Sequence, residues 1–284
     1  MEELTDDLKP VLESTEISAS FSGKISTGKF ENEAPHFSFK ETYTGNMTDS
    51  FMLERQKFLN AKCYAHFQEV EQRSVADKII AQREDIRFYD RKGMKYPSVT
   101  SIISWNADFF MKQTDLEQYC SRGTIIHKQS EIFLETGEWV DAKDIPELYT
   151  DYIVVTKGSL GLKLDDVDFR GWYKKNPFEY TELESVVYND ELKYAGRCDI
   201  IANYDGKLSI MDIKTGSSVD RMKAFKQMSA YAKALDIGIE QMVVIHLNNK
   251  TKCGFSAPIV TDEIEKYWGL FQSDRESFTK VFGV

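Results

Sequence analysis

Two carboxylates and one lysine are placed around a short turn, where they could act together on a phosphodiester. Asp199 precedes the pair Asp205-Gly206, and both Asp212 and Lys214 follow it, each in an apolar run. An Asp-Gly pair between two such runs predicts a tight hairpin, and alternation along its second strand places Asp212 and Lys214 on one face. An Asp-x-Lys pattern alone is more often solvated charge. A hairpin register that brings Asp199 close to Asp212 would instead give a divalent cation two oxygen ligands beside an ammonium group, which suits phosphodiester hydrolysis.

The segment after this hairpin, residues 218–235, has the spacing of an amphipathic helix. Apolar residues recur at three- and four-residue intervals, at Met222, Phe225, Met228, Tyr231, Ala232 and Leu235. Gln227 and Tyr231 are four residues apart and therefore share a face of the helix. By spacing alone, Tyr231 would be a core residue and Gln227 its surface neighbour.

The order of these motifs resembles the PD-(D/E)XK nuclease superfamily, in its RecB-like branch. The matching segments are, in chain order, Tyr96–Ile103, Arg122–His127, Gly196–Asp199, Asp212–Lys214 and Gln227–Tyr231. Phage-type exonucleases and mitochondrial genome maintenance exonucleases are the members that they resemble most. The resemblance covers roughly residues 85–247.

This resemblance implies a role for each matching residue. The implied metal ligands are His127, Asp199, Asp212 and the backbone carbonyl of Ile213. Lys214 would orient or activate the attacking water, and Glu184 matches an acidic position ahead of the hairpin, with Glu182 as the alternative.

Several further residues are candidates for contact with substrate. Gln227 and Tyr231 would contact DNA or brace the site, and Arg122 and Arg197 are further candidate DNA contacts. Glu131, one helical turn after His127, could orient that histidine or reach the substrate. Without the resemblance, His127 and Glu131 would be interpreted as a partly buried histidine and a surface acid.

The expected cofactor is Mg²⁺ or Mn²⁺, because hard cations prefer oxygen ligands. Some relatives carry an iron–sulfur cluster, but here the cysteines are dispersed, at Cys63, Cys120, Cys198 and Cys253. We therefore expect no cluster and no structural zinc. The chain has no phosphate-binding loop of a helicase motor, so a helicase, a single-strand-binding protein or another replication or recombination partner would supply any unwinding.

Composition is compatible with an enzyme that has a sizeable core. The chain has 284 residues, of which 42% are hydrophobic. The net charge of −10 is unlike that of a general DNA-binding protein, although residues 1–50 hold ten acidic and only four basic residues. No apolar run is long enough for a membrane span, and the acidic start argues against a signal or transit peptide. We expect a cytoplasmic protein, bacterial or encoded by a phage.

The pattern predicts two parts. Residues 1–84 form a small α+β module of short strands and a helix over 49–82, with no assigned role, and residues 85–284 form the nuclease domain. Within this domain we expect a hairpin that turns at Lys92-Gly93 and a helix capped by Ser98. Helices over 115–135, 146–157 and 261–282, and strands over 180–188 and 242–247, complete the prediction, with His246 as a packed residue. The fold class is therefore α/β, a restriction-endonuclease-like core in which helices flank a mixed sheet.

The function that these features favour is a metal-dependent deoxyribonuclease, an exonuclease acting on single-stranded DNA or DNA ends in phage or bacterial replication, recombination or repair. An endonuclease of the same fold is the first alternative, because the site residues would be the same. A catalytically inactive DNA-binding module and a structural phage protein are two further candidates. The presence of Asp199, Asp212 and Lys214 together argues against an inactive copy.

Overall fold

A computed structural model describes residues 14–23, 25–26, 32–44, 47–107, 111–248 and 250–284. Residues 1–13 of the expected N-terminal module, and some of its turn residues, lie outside this description. The chain forms two compact units. The first comprises the described residues of Met1–Arg83 with Asp90–Lys95 and Gly283–Val284, and the second comprises Glu84–Tyr89 and Tyr96–Phe282.

The first unit is a two-stranded ribbon packed on one long helix. Strands β1 (Ser14–Ser22) and β4 (His36–Thr44) pair antiparallel, and β2 (Ile25–Ser26) pairs with β3 (Asn32–Glu33). Helix α1 (Asp49–Gln82) begins at Thr48, whose side chain accepts a hydrogen bond from the amide of Phe51. The buried residues Ile17, Ala19, Leu59 and Cys63 join the ribbon to the helix.

The remaining elements run from residue 88 to residue 282. The strands are β5 (Phe88–Arg91), β6 (Met94–Pro97), β7 (Glu179–Asn189), β8 (Tyr194–Tyr204), β9 (Lys207–Lys214), β10 (Gln241–His246) and β11 (Ile259–Thr261). The helices are α2 (Val99–Ser104), α3 (Gln113–Thr136), α4 (Tyr149–Thr156), α5 (Phe169–Lys175), α6 (Arg221–Leu235) and α7 (Ile264–Phe282). None of the described helices is both long enough and apolar enough to cross a membrane.

A five-stranded mixed sheet is the centre of the second unit, with the order β11-β10-β9-β8-β7. Strands β8 and β9 pair antiparallel around the Asp205-Gly206 turn, where both residues have positive φ. Strand β10 pairs parallel to β9, with His246 opposite Lys214. The parallel connection is made by α6, as a crossover between parallel strands requires.

The main hydrophobic core lies between this sheet and helices α3 and α5. It includes Ile126, Trp172, Met211, Ile213 and Ile245. Because Met211 and Ile213 point into this core, alternation turns Asp212 and Lys214 toward the opposite face, which carries α6. The α/β class and the mixed, helix-flanked sheet are therefore confirmed.

Most of the expected elements are present. Ser98 accepts a hydrogen bond from the amide of Ser101 at 3.0 Å and caps α2, and the first hairpin turns at Lys92-Gly93 as predicted. Two elements, α5 and β11, were not predicted. Helix α6 is present where the apolar spacing predicts it, and Met222, which lies in its first turn, is 49% exposed.

Candidate functional site

Three side chains from three different elements converge on one point. His127 lies on α3, Glu184 on β7 and Asp199 on β8, and one ligand atom from each lies within 4.8 Å of the others. The convergence depends on an irregularity of β7, where the pairing register shifts between Tyr180 and Glu182. Glu184 itself has a φ of 50°, in the left-handed region that L-residues other than glycine rarely occupy. This bulged segment carries Glu184 into the cluster.

Both ring nitrogens of His127 face oxygen atoms. Its Nε2 lies 2.9 Å from the backbone oxygen of Ile213, and its Nδ1 lies 3.3 Å from Oδ2 of Asp199. Oδ2 of Asp199 also accepts a hydrogen bond from the amide of Ile213 at 2.8 Å. A neutral imidazole has a single N–H, so it can satisfy only one of these two oxygen contacts. A second proton or a bound cation would make both contacts favourable.

Asp212 and Lys214 form a pair next to this cluster. The Lys214 ammonium donates a hydrogen bond to Oδ1 of Asp212 at 2.9 Å and lies 2.7 Å from its Oδ2. The Asp212 side chain is only 4% exposed, and its Oδ2 accepts no hydrogen bond from any described residue. We regard the pair as an ion pair, because charges at this distance attract without ideal hydrogen-bond geometry, and Oδ2 keeps a lone pair available.

Two carboxyls near the centre, the buried Asp212 and the half-buried Glu184, have raised pKa values. Burial and the charge of Asp199 outweigh the opposing effect of Lys214 and raise the pKa of Asp212 to about 6. Burial, followed by the charge of Asp199, also raises the pKa of Glu184. Burial alone would lower the pKa of Lys214, but the charges of Asp212 and Asp199 outweigh it and raise the pKa. The lysine therefore remains an ammonium.

A polar chain continues from Lys214 to helix α6. The Lys214 ammonium lies 3.4 Å from Oε1 of Gln227, and Nε2 of Gln227 donates to the Tyr231 hydroxyl at 3.0 Å. Tyr231 is only 4% exposed, and a Cβ added to Gly196 would lie 2.3 Å from its ring. Glycine at position 196 thus lets the tyrosine ring lie directly on β8. Of the two functions expected for Gln227 and Tyr231, this geometry fits bracing.

Two buried side chains hold the segment that follows Lys214. Arg122 donates to the backbone oxygens of Thr215 at 2.9 Å and Lys163 at 2.8 Å, and pairs with Asp166. On the other side, Nε2 of His246 donates to the backbone oxygen of Gly216 at 2.8 Å.

Because Arg122 and His246 are buried, we assign them a structural function. The Arg122 side chain is 6% exposed and His246 is 8% exposed. Arg122 was a candidate for substrate contact, but its guanidinium is engaged with the protein itself. The sequence did not reveal this, because its partners Lys163 and Asp166 are about forty residues away.

The other expected residues lie close to the cluster with different partners. Arg197 is 57% exposed and its guanidinium lies 3.7 Å from Glu184, so it remains accessible. Glu131 pairs with Lys128 at 2.9 Å rather than with His127. Glu182 accepts a hydrogen bond from Ser185 and lies outside the cluster, which favours Glu184 over Glu182 as the site acid.

The donor set suits a hard divalent cation. His127, Glu184 and Asp199 supply one nitrogen and two carboxylates, and Oδ2 of Asp212, which is ion-paired with Lys214 but accepts no hydrogen bond from the described residues, adds a candidate oxygen nearby. Oxygen-rich sets with one histidine are compatible with Mg²⁺ or Mn²⁺. The sequence assigned Glu184 as catalytic without making it a ligand. The cluster includes it and leaves out Asp212.

Cys198 lies inside the hairpin next to Asp199 but is not available as a ligand. Its side chain is buried, and burial together with the charges of Asp199 and Asp212 raises the pKa of its thiol well above the usual value. All four cysteines are free thiols.

Comparisons with known proteins do not identify a family for this chain. No protein-family model matches the chain, and no curated protein matches it. Among solved structures the chain is similar to one described as "Crystal structure of SSO0001", with 14% identity and a TM-score of 0.22, over 63% of this chain and 84% of that one.

Proposed function

We propose that this protein is a metal-dependent DNA nuclease with a restriction-endonuclease-like core. The observation that carries the proposal is the convergence of His127, Glu184 and Asp199 beside the buried pair Asp212–Lys214. Carboxylates at this density repel one another, so their assembly in one place costs stability unless a cation is bound there. Trimming of single strands or DNA ends is the mode that the sequence motifs favour.

The residues of the site would have separate functions. His127, Glu184 and Asp199 would hold the cation, with Oδ2 of Asp212 as a further oxygen. When bound, the cation would offset the negative charge of the phosphodiester and make water a better nucleophile. Lys214 would hold this water and stabilise developing charge on the phosphate oxygens.

The orientation of Lys214 depends on its neighbours. Asp212 holds the ammonium from one side at 2.7 Å and Gln227 approaches it at 3.4 Å. Tyr231 fixes Gln227 by the hydrogen bond between its hydroxyl and the amide. Arg197, accessible next to Glu184, would contact a DNA phosphate near the cleavage point.

The test is a time course of cleavage on single- and double-stranded DNA labelled at either end, in Mg²⁺, Mn²⁺ or EDTA. The wild type is compared with Lys214→Ala, and with Lys207→Ala as a matched control, since Lys207 is an exposed lysine at the start of the same strand. We expect metal-dependent cleavage that Lys214→Ala lowers at least ~100-fold, as for removal of one transition-state donor. Lys207→Ala should cleave as the wild type does.

The products also separate the modes of cleavage. Successive shortening from one labelled end indicates an exonuclease, and early internal fragments indicate an endonuclease with the same site. DNA binding without cleavage in any metal would replace the proposal with a non-catalytic role. Equal cleavage by Lys214→Ala would remove Lys214 from the mechanism.

A further inference from the structure

A second concave surface lies on the unit that contains the candidate site. It is an open groove of about 1170 Å³ between α5, the loop 164–168 and the loop 251–255, with Trp139 at one side. We call it the α5 groove. Because the groove is open to solvent and not enclosed, a segment of a polymer can lie in it.

Four basic side chains line the α5 groove, together with four aspartates. Arg170, Lys174, Lys175 and Lys252 line it, and all four are exposed. Two of them lie over aromatic rings, the Arg170 guanidinium 5.3 Å from the centre of Trp139 and the Lys175 ammonium 4.8 Å from that of Phe255. Cation–aromatic contacts of this kind position the charge while leaving it open to an anion from the other side.

Most of the acidic residues of the α5 groove already have partners. Asp166 pairs with Arg122, and Asp141 pairs with Lys143 at 3.3 Å. Asp168 accepts a hydrogen bond from the amide of Gly171 at 2.9 Å and so caps α5. Asp165 is the remaining acid and is exposed. With the partner cations Arg122 and Lys143 included, six cationic and four acidic side chains line or adjoin the groove, so its net charge is positive.

One wall of the α5 groove is hydrogen-bonded to the segment that follows Lys214. Arg122 pairs with Asp166 in this wall and donates to the backbone oxygen of Thr215. Thr215 is the residue immediately after Lys214. The groove wall and the end of β9 are thus held by the same guanidinium.

The opposite wall makes a second connection to the same segment. The amide of Asn248 donates to the backbone oxygen of Gly254 at 3.0 Å, and the Asn248 side chain contacts His246. His246 in turn donates to the backbone oxygen of Gly216. Both walls of the α5 groove are therefore connected, through hydrogen bonds, to the residues that follow Lys214.

We propose that the α5 groove binds the phosphates of a single nucleic-acid strand beyond the cleavage point. This inference rests on the proposed nuclease function and adds to it a second contact region for the same substrate. A strand bound here and at the candidate site would be held at two points, so long substrates would bind more tightly than short ones. The cations of the groove supply the phosphate contacts that the acidic cluster cannot.

The experiment measures binding of fluorescein-labelled oligo(dT) of 6 and 30 nucleotides by fluorescence anisotropy, in EDTA, over a range of NaCl concentrations. The full chain is compared with the double variant Lys174→Glu/Lys175→Glu, and with Lys252→Glu on the other wall. The control is Lys207→Glu/Lys280→Glu, which makes the same charge change at two exposed lysines outside the groove. Thermal melting identifies any variant that does not fold, in which case Lys252→Glu provides the test.

We expect the groove variant to bind the 30-mer at least tenfold more weakly, with a smaller change for the 6-mer. The slope of log affinity against log salt should fall by about 0.7 for each phosphate that the variant no longer neutralises.

Three results would overturn the inference. If the groove variants bind the 30-mer as tightly as the wild type does, and the wild type cleaves DNA, the proposed function of the groove is wrong and the nuclease proposal is unaffected. An equal decrease of affinity in the control would show a general effect of charge and would also overturn it. A wild type that neither binds nor cleaves DNA would overturn both proposals.

Discussion

The Asp212 carboxyl is under two opposing influences at the scale of one residue. Burial raises its pKa to about 6, while the ammonium of Lys214 favours the charged form. Since a metal ligand must be deprotonated, any cation bound here competes with protons. The same competition applies to Glu184, whose pKa burial and Asp199 also raise.

Metal affinity should therefore depend on pH near 6. We expect Mn²⁺ affinity, measured by isothermal titration calorimetry between pH 5 and 8, to rise as pH increases through about 6 and then to level off. The fall below pH 6 should approach ~10-fold per pH unit for each proton displaced. A flat profile between pH 5 and 7 would contradict the assignment of these carboxyls to the metal site.

The stability of the metal-free protein should show the opposite trend. The folded pKa of Asp212, about 6, lies above its ordinary value of 3.8, so the folded state binds this proton more tightly than the unfolded state. Its contribution to the free energy of unfolding therefore decreases as pH rises from about 4 to about 6. Urea denaturation of the wild type and Asp212→Asn should reveal it, because the variant lacks this titration.

Replacing Asp212 by asparagine removes the charge of this side chain and keeps its shape. We expect Asp212→Asn to lower Mn²⁺ affinity by ~10–100-fold and to abolish cleavage, because one carboxylate and the partner of Lys214 are removed together. Asp205→Asn is the matched control, an exposed acid in the hairpin turn of the same two strands. Retention of full affinity by Asp212→Asn would place the metal at His127, Glu184 and Asp199 alone.

At the scale of elements, the position of α6 on the sheet depends on the absence of a side chain at Gly196. A Cβ at Gly196 would lie 2.3 Å from Cε1 of Tyr231, a distance that real side chains do not adopt. Tyr231 is also the end of the polar chain from Lys214 through Gln227. Packing between β8 and α6 and the orientation of the lysine are therefore coupled.

We expect Gly196→Ala to lower the free energy of unfolding by ~1–3 kcal/mol, the usual cost of overpacking. Cleavage should fall as well, because α6 must move and Gln227 with it. Gly269→Ala is the control, since no described atom lies within 4 Å of the added methyl and α7 should gain helix propensity there. Chemical denaturation of both variants measures the effect. Equal free energies of unfolding for Gly196→Ala and Gly269→Ala would contradict the prediction.

The hydrogen bond from His246 to Gly216 makes a second prediction at this scale. His246→Ala removes the hydrogen bond to the carbonyl of Gly216, an exposed residue, which should lower the free energy of unfolding by ~0.5–1.5 kcal/mol and lower kcat more than it changes KM. His246→Gln retains a side-chain donor and should recover part of kcat. A decrease of stability with kcat unchanged would make the contact structural only.

The elements that sequence patterns predict well are those whose signals are local. The Asp205-Gly206 turn, the Ser98 cap and the 34-residue α1 all follow from neighbouring residues. Helix α5 was missed because seven residues containing Gly171 give too short a period, although Asp168 is a recognisable N-cap. The partners of Arg122 could not be found either, since contacts across about forty residues leave no periodic trace.

At the scale of the whole molecule, the acidic charge and the two compact units are related. Residues 1–50 contain ten of the 46 acidic residues and only four of the 36 basic ones. Residues 51–83 and 90–95 of the first unit are net basic, however, so the second unit carries −8 of the chain's net charge of −10. A polyanion would therefore have to bind at local basic surfaces of the second unit, since its overall charge is repulsive.

Deleting residues 1–83 should leave a folded second unit. We expect a single cooperative thermal transition that Mn²⁺ shifts upward, because the cluster of His127, Glu184 and Asp199 lies in that unit. The hairpin around Gly93 should become more mobile, since Gln72 and Arg73 contact it within the first unit. Insoluble product, with the full chain soluble under the same conditions, would show that the two units need each other to fold.

The backbone of Glu184 has a consequence for how this sequence can change over generations. A left-handed glutamate is less favourable than glycine at the same φ by ~1–2 kcal/mol, and burial beside Asp199 adds a further penalty. Selection for folding alone would therefore enrich glycine or asparagine at position 184. If glutamate persists at this position under such selection, the reason would be the chemistry of its carboxylate and not its fit to the strand.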